Sequence, residues 1–384
     1  MRCRMRRNNE VLNQLYMKLA DSLNISDSKT EEIVSSYKAV GTYLGNLETE
    51  LNINIYPQGS LNLGTVIKPL QSDKNGSYDI DLVCQLEAGA HLTPKDIKTI
   101  IGSRLKESSR YKNMLDSEGK RCWTLNYADF HMDVLPCIPY DSSQSNTTIK
   151  ITEKNEQNEY VYSLSNPKGY KEWFVTEMEN IFKESRTIYA EEKKIEIEEV
   201  PLFKLRTPLQ MAIQILKRHR DIMFEGQKHK PISIILTTLA ARAYDGETNV
   251  FEAISNILDK MGTFINIDDN GVYKICNPTN NEENFADRWN KTHEKPEAFF
   301  KWLRQAKKDI INDPLEFVDG LPKIKEQFES RFGHEVTIET FDRYGKMMEE
   351  KSKQNILGIT KDGHITTQNP KTVTPIRSHT FYGG

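Results

Sequence analysis

In the stretch Tyr78-Asp79-Ile80-Asp81-Leu82-Val83 two aspartates alternate with apolar residues, inside a run that stays mostly apolar as far as Leu86. Alternation with period two is the pattern of a β-strand that buries one face, and aspartate is depleted in strands. Asp79 and Asp81 are therefore expected on one face while Ile80 and Leu82 enter a core. Two carboxylates held on the same face repel each other unless a cation lies between them. A chain with this strand needs a sheet that covers a core on one side and opens onto a cation on the other.

Two further segments fit that requirement. Gln58-Gly59-Ser60-Leu61-Asn62-Leu63-Gly64-Thr65 reads as a turn whose glycines let the backbone approach a triphosphate, with N–H groups and the Ser60 hydroxyl as donors. In Phe130-His131-Met132-Asp133-Val134 the alternation puts Asp133 on the less apolar face. Pairing of that strand beside the first makes the three carboxylates converge. Hard oxygen ligands of this kind suit Mg2+, with Mn2+ able to substitute. A carboxylate cluster with two such ions is the arrangement for in-line attack of a hydroxyl on a phosphoryl group. Each feature is weak alone, since Gly-Ser turns are common and a D-x-D pair on a strand edge is more often a solvated face. Their conjunction in apolar strands is the signal.

Around these motifs, residues 28–51 read as one long helix with Ser28 and Glu31 as a capping box. Strands follow at 52–56, 78–86, 121–127 and 130–139, with a helix opened by Thr93-Pro94 and a hairpin over 148–165. From about residue 170 helices dominate. One is opened by Thr207-Pro208 and closed by Gly226, and the next is opened by Lys230-Pro231 with Ile232, Ile235, Leu236 and Leu239 inward. Others are expected at 250–261, 281–290, 296–311 and 337–352. The fold class is α+β with two lobes: a mixed β-sheet core with a long N-terminal helix over 1–200, a helical lobe over 201–355, and a flexible tail over 356–384.

Composition sets the outer limits. The 384 residues include 52 basic and 55 acidic side chains, and a net charge of −3 gives no global attraction to long nucleic acid. The longest apolar run, 232–241, is about half the ~20 residues of a membrane-spanning helix, and the basic start is not followed by an apolar segment. Five scattered cysteines without a C-x-x-C pair point to a reducing compartment and away from a zinc cluster. The expectation is a cytosolic protein that meets no membrane.

Together, GSLNLGT, DIDLV and HMDVL resemble the nucleotidyltransferases of the DNA polymerase beta superfamily. With SNPKGYKEWF at 165–174, TPLQMAIQILKRHRD at 207–221, KPISIILTTLAARAY at 230–244 and NPTNNEENFADRW at 277–289, the chain looks more narrowly like the bacterial cGAS/DncV-like nucleotidyltransferases. These are the oligonucleotide cyclases of CBASS anti-phage defence, and the likeness spans roughly residues 30–310. The resemblance implies a two-lobed polymerase-beta-like enzyme that condenses NTPs, ATP among them, in the bacterial cytoplasm. It implies a cyclic oligonucleotide second messenger read by a downstream effector. Asp79 and Asp81 match the catalytic, metal-binding pair, and Asp133 the third acid, which binds metal and orients or deprotonates the attacking hydroxyl. Gly59 and Ser60 match the phosphate-holding turn, and Lys217 and Ser233 the ligands of the terminal phosphates. The plainer alternatives are a solvated basic run, Lys217-Arg218-His219-Arg220, and a helix cap at Ser233. Eighteen residues separate Ser60 from Asp79, more than minimal members of the superfamily carry. The zinc insertion with which animal cyclic GMP–AMP synthase grips DNA has no counterpart, because no short window clusters His and Cys.

The sequence finishes Tyr382-Gly383-Gly384 after a polar run. Some CBASS cyclases resemble ubiquitin-like proteins in being joined through their C-terminus by a ubiquitin-ligase-like partner, which makes Gly384 a candidate conjugation site beside the alternative of a frayed terminus. Two other functions remain compatible with the motifs. One is a non-cyclising nucleotidyltransferase acting on RNA, a linear oligonucleotide or a protein; the other is a catalytically silent nucleotide-binding module.

Overall fold

A computed structural model describes residues 2–47, 51–70, 77–140, 147–193, 204–316, 320–354 and 356–359, together with 365–366 and 374–375. The chain starts with two helices, α1 (Arg2–Leu23) and α2 (Asp27–Gly45), before it enters the sheet. Six strands then follow in chain order: β1 (Ile53–Gln58), β2 (Tyr78–Leu86), β3 (Trp123–Asn126), β4 (Phe130–Pro139), β5 (Ile149–Lys154) and β6 (Tyr160–Ser165). Their spatial order is β1-β2-β4-β5-β6, with β3 alongside the first half of β4. Only β2 and β4 run parallel, so the sheet is mixed, as expected. A parallel pair needs a crossover, and α4 (Pro94–Glu107) and α5 (Ser109–Met114) supply it. The start of α4 follows from Thr93 and Asp96, which form a reciprocal capping box ahead of Pro94.

One face of the sheet is closed. Ile80, Leu82 and Cys84 of β2 and Phe130, Met132 and Val134 of β4 pack against Ile33, Val40 and Leu44 of α2 and Ile97, Ile101 and Leu105 of α4. The opposite face carries only a small apolar patch, Val83, Leu135, Cys137, Ile149 and Ile151, and otherwise faces a cleft.

Beyond that cleft lies a helical layer. It comprises α6 (Pro167–Thr176), α7 (Glu179–Lys193), α8 (Pro208–Met223), α9 (Ser233–Ala243), α10 (Val250–Lys260), α11 (Glu294–Ala306), α12 (Asp313–Glu316), α13 (Leu321–Phe332) and α14 (His334–Lys353). Of these, α6, α8 and α9 line the cleft. Between α10 and α11 lie the short pairs β7 (Asn266–Ile267) with β8 (Tyr273–Lys274) and β9 (Cys276–Asn277) with β10 (Asn280–Asn284). The first helix joins this layer rather than the sheet. Leu12, Leu15, Tyr16, Leu19 and Leu23 recur at helical spacing and are buried among the C-terminal helices, and the Tyr16 hydroxyl donates to the Ile310 carbonyl at 2.7 Å.

Several local expectations need correction. The long helix runs from Asp27 to Gly45, and its cap is Ser26, whose hydroxyl accepts from the Lys29 N–H, rather than Ser28. Ile232 is 43% exposed because it sits at the cap of α9, outside the packed turns. The helix expected over 281–290 is β10 followed by a single 3-10 turn, Asp287–Asn290. Asparagine competes with helix by bonding to nearby backbone: Asn277 accepts from the Thr279 N–H, and Asn284 accepts from the Ile275 and Ala286 N–H groups. Within the segment read as a flexible tail, Gly358–Ile359 pairs with Ile365–Thr366 and with Thr374–Pro375. Gly384 and residues 71–76, within the segment between Ser60 and Asp79, lie outside the described residues. Among the described residues no helix is long and apolar enough to cross a membrane.

Candidate active site

The expected pairing of the two aspartate strands is present. Asp81 and Asp133 are register partners in the parallel β2–β4 ladder, and Asp79 is the partner of His131. The ladder extends to both sides, so that Gln58 of β1, Asp81, Asp133 and Thr124 of β3 form one row across four strands. Neighbouring strands lie about 4.8 Å apart, and residues i and i+2 about 6.6 Å apart along a strand. The three carboxylates thus share one face, as the alternation requires, but they are aligned rather than gathered. Among the described residues no three His, Cys, Asp or Glu side chains form a ready-made metal-binding group. Asp79 stands one strand repeat beyond the Asp81–Asp133 pair and is exposed.

The motif read as a turn is one short helix, α3 (Gly59–Leu63), leading out of β1. Gly59 opens it at φ +67°, and Gly64 closes it in the left-handed region at φ +66°. Glycine at position 59 is demanded twice, by this φ and by crowding, since a Cβ there would stand 2.2 Å from Oδ2 of Asp81. The bare Cα of Gly59 is therefore the floor on which the Asp81 carboxylate lies. Ser60 follows directly and lines the cleft.

The helical wall supplies the cations. Helix α8 begins at a capping box between Thr207 and Gln210, and its length carries Lys217 and Arg220, three residues apart and so on one face. The solvated-run alternative fails, because Lys217, Arg218, His219 and Arg220 are all buried. Lys217 Nζ donates to the carbonyl and hydroxyl of Thr65 at 3.0 and 3.1 Å, which ties the helix to the end of the phosphate-loop motif. Arg220 grips Asp221 through Nε and Nη2 and donates through Nη1 to Ser233 Oγ at 2.9 Å. Ser233 is the first residue of α9 and is not its cap.

All seven sequence-predicted residues, Gly59, Ser60, Asp79, Asp81, Asp133, Lys217 and Ser233, line a single cavity of about 580 Å3. A second cavity of about 490 Å3 shares Gly59, Asp81 and Asp133 with it and continues between the sheet and the helical wall. Arg121, Glu153, Glu283, Phe285 and Arg288 give that second chamber a mixed lining of charges and an aromatic ring. The aspartate row stands where the two chambers meet.

Electrostatics mark the row as unfinished. Burial, then the charges of Asp133 and Asp79, push the Asp81 carboxyl up to about 7, and Lys217 opposes them. Burial and the nearby Arg220 push Lys217 down to about 7. A carboxylate so costly to ionise beside two others is the environment that a divalent cation relieves.

Sequence reasoning missed Thr65, Thr124 and Arg220. Arg220 was legible as the residue one turn beyond Lys217. Thr124 had no local signal, because its place beside Asp133 exists only in the register of β3 with β4.

Residues 11–180 match the family described as the Second Messenger Oligonucleotide or Dinucleotide Synthetase domain. A c-di-GMP synthase of Roseivirga ehrenbergii is 29% identical over 381 residues, covering 97% of each chain. Among solved structures, the CD-NTase CdnG of Bradyrhizobium diazoefficiens in complex with GTP superposes with a TM-score of 0.67 at 21% identity, over 87% of this chain and 99% of that one. The E. coli CdnC structure with ATP gives 0.57 at 13% identity, over 83% and 96%.

Proposed function

We propose that this chain, whose residues 11–180 match the second-messenger synthetase family, is a cGAS/DncV-like nucleotidyltransferase that joins two GTP molecules into a cyclic dinucleotide with Mg2+ as cofactor. The observation that carries the chemistry is the in-register row of Asp81 and Asp133 at the junction of two chambers, with Asp79 above it. One chamber holds the donor triphosphate and the other the acceptor nucleotide. Guanine as the base is supported by the c-di-GMP synthase that matches 97% of the chain, and ATP is kept as the competing substrate.

The donor set fits magnesium. Mg2+ is held by one or two carboxylates plus substrate phosphates rather than by an all-protein cage, so aligned aspartates without a closed group suffice. Asp79, Asp81 and Asp133 would hold it, and when bound it neutralises phosphate oxygens and favours the alkoxide form of the attacking hydroxyl. The chain's own residues do the positioning. Gly59 lets the triphosphate lie against the backbone, the Ser60 hydroxyl donates to it, and Lys217 and Ser233 reach its terminal phosphates from the helical wall. Asp133 receives the proton of the acceptor's 2′- or 3′-hydroxyl as that oxygen bonds to the α-phosphorus and pyrophosphate departs. A second round on the turned linear intermediate closes the ring.

In this reading the product is a diffusible messenger in the bacterial cytoplasm that a CBASS effector detects during phage infection, and a ubiquitin-ligase-like partner acts on Gly384. Each labelled NTP, supplied singly and in pairs with Mg2+ and followed by phosphatase, tests the core of it. GTP alone is expected to yield label resistant to phosphatase; label that is wholly phosphatase-sensitive contradicts cyclisation. Deleting Gly384 tests the tail: synthesis should persist while any covalent adduct disappears, and an adduct that survives refutes that role.

A further inference from the structure

The Asp81–Asp133 row does not end at the aspartates. Thr124 is the register partner of Asp133 on its other side, and its hydroxyl donates to Oδ1 of Asp133 at 2.5 Å. Charge-assisted bonds to a carboxylate are the short, strong ones. Thr124 lines neither chamber, while Asp133 lines both. The hydroxyl therefore acts through the carboxylate and touches no substrate.

The anchor is itself braced. Threonine is β-branched, with a χ1 that is stiff in a strand, so its hydroxyl is held in place before any ligand arrives. Beside it, Cys122 Sγ lies 3.8 Å from Thr124 Oγ1. An unanchored aspartate on the wall of a cleft rotates among rotamers; this one is held from the strand side with its remaining lone pairs left to the cleft.

We propose that Thr124 is a positioning residue for nucleotidyl transfer, its hydroxyl holding the Asp133 carboxylate in the orientation that meets the divalent cation and the attacking hydroxyl. The inference rests on the reading of Asp133 given above. Partners behind a metal-ligating carboxylate are worth about 10- to 100-fold in activity or metal affinity. That is the scale expected here.

Full-length Thr124→Val, Thr124→Ser and Asp133→Asn, each compared with the wild type, test it. Three readouts are taken: turnover of GTP, melting temperature, and Mn2+ affinity with a non-hydrolysable GTP analogue, from the electron paramagnetic resonance of free Mn2+. Valine keeps the branched shape and removes the donor. Thr124→Val should lower kcat by about 10- to 100-fold and weaken Mn2+ by about tenfold, with KM within about twofold and the melting temperature within about 2 °C. Thr124→Ser keeps the hydroxyl and should recover most of both losses. Wild-type kcat and Mn2+ affinity in Thr124→Val, or equal losses in the serine variant, overturn the proposal. If Asp133→Asn abolishes turnover while Thr124→Val behaves as wild type, Thr124 alone is misread. If Asp133→Asn itself turns over and binds Mn2+ normally, the reading of Asp133 falls and the proposal with it.

Discussion

Gly59→Ala puts a single methyl group where the site has no room. The added Cβ would stand 2.2 Å from Oδ2 and 3.2 Å from Cγ of Asp81, and Gly59 has φ +67°. Ordinary carbon–oxygen contact is wider by about 1 Å, so the carboxylate or the loop has to move by that much. The backbone adds about 1–2 kcal/mol for an L-residue in the left-handed region, offset by about 0.4–1 kcal/mol from the stiffer unfolded chain. The net loss of stability is therefore near 1 kcal/mol, or about 2 °C in melting temperature. A 1 Å misplacement at the chemistry costs on the order of 100-fold in rate. Gly271→Ala is the matched control, with φ +76° and nothing within 4 Å of the added Cβ. Thermal denaturation and pyrophosphate release measured on both variants separate strain from crowding: both should melt slightly early, and only Gly59→Ala should lose activity. Turnover near wild type in Gly59→Ala, or an equal loss in Gly271→Ala, refutes the argument that Asp81 lies on the bare Cα of Gly59.

Two further perturbations follow from the helical wall. Lys217 is pushed from its ordinary 10.5 to about 7 in the folded protein, so between those values the unfolded chain holds a proton that the folded chain lacks, and stability rises with pH across the window. Urea denaturation at pH 7 and 9.5 should show a gain of roughly 3 kcal/mol at most from this group, and Lys217→Met should flatten that slope; an unchanged slope contradicts the burial argument. Arg220→Lys keeps the charge and removes the fork that joins Asp221, Pro231 and Ser233. It should destabilise the fold by about 2 kcal/mol and raise KM for the nucleotide more than it lowers kcat, whereas kinetics and melting unchanged from wild type mean that the junction does not depend on this contact.

Much of the sheet was readable before any coordinates. β2 and β4 fall at the expected residues because alternation of aspartate with Ile, Leu, Met and Val leaves little freedom in their placement. The cap of α8 was equally plain from Thr207-Pro208. Helix α1 was hidden by its basic beginning, although Leu12, Leu15, Tyr16 and Leu19 carry the helical period. A solvated run was the plainer alternative for Lys217–Arg220 because charge normally seeks water; here α8 is enclosed by other helices, and the four side chains end on Thr65, Lys68, Asp309 and Asp221. The Asn-rich segment 277–284 was misread because side-chain bonds to local backbone leave no trace in hydrophobic period. Thr124 shows the deeper limit: register between strands distant in sequence is set by the whole sheet.

The account turns on whether the aspartate row catalyses the loss of pyrophosphate from NTPs. Pyrophosphate released by purified wild type and by Asp81→Asn, with GTP and Mg2+ under identical conditions, measures this directly. The wild type should release one pyrophosphate for each phosphodiester bond formed, and the correctly folded asparagine variant none above background. Equal release by the two proteins, or no release by the wild type with any NTP, contradicts it.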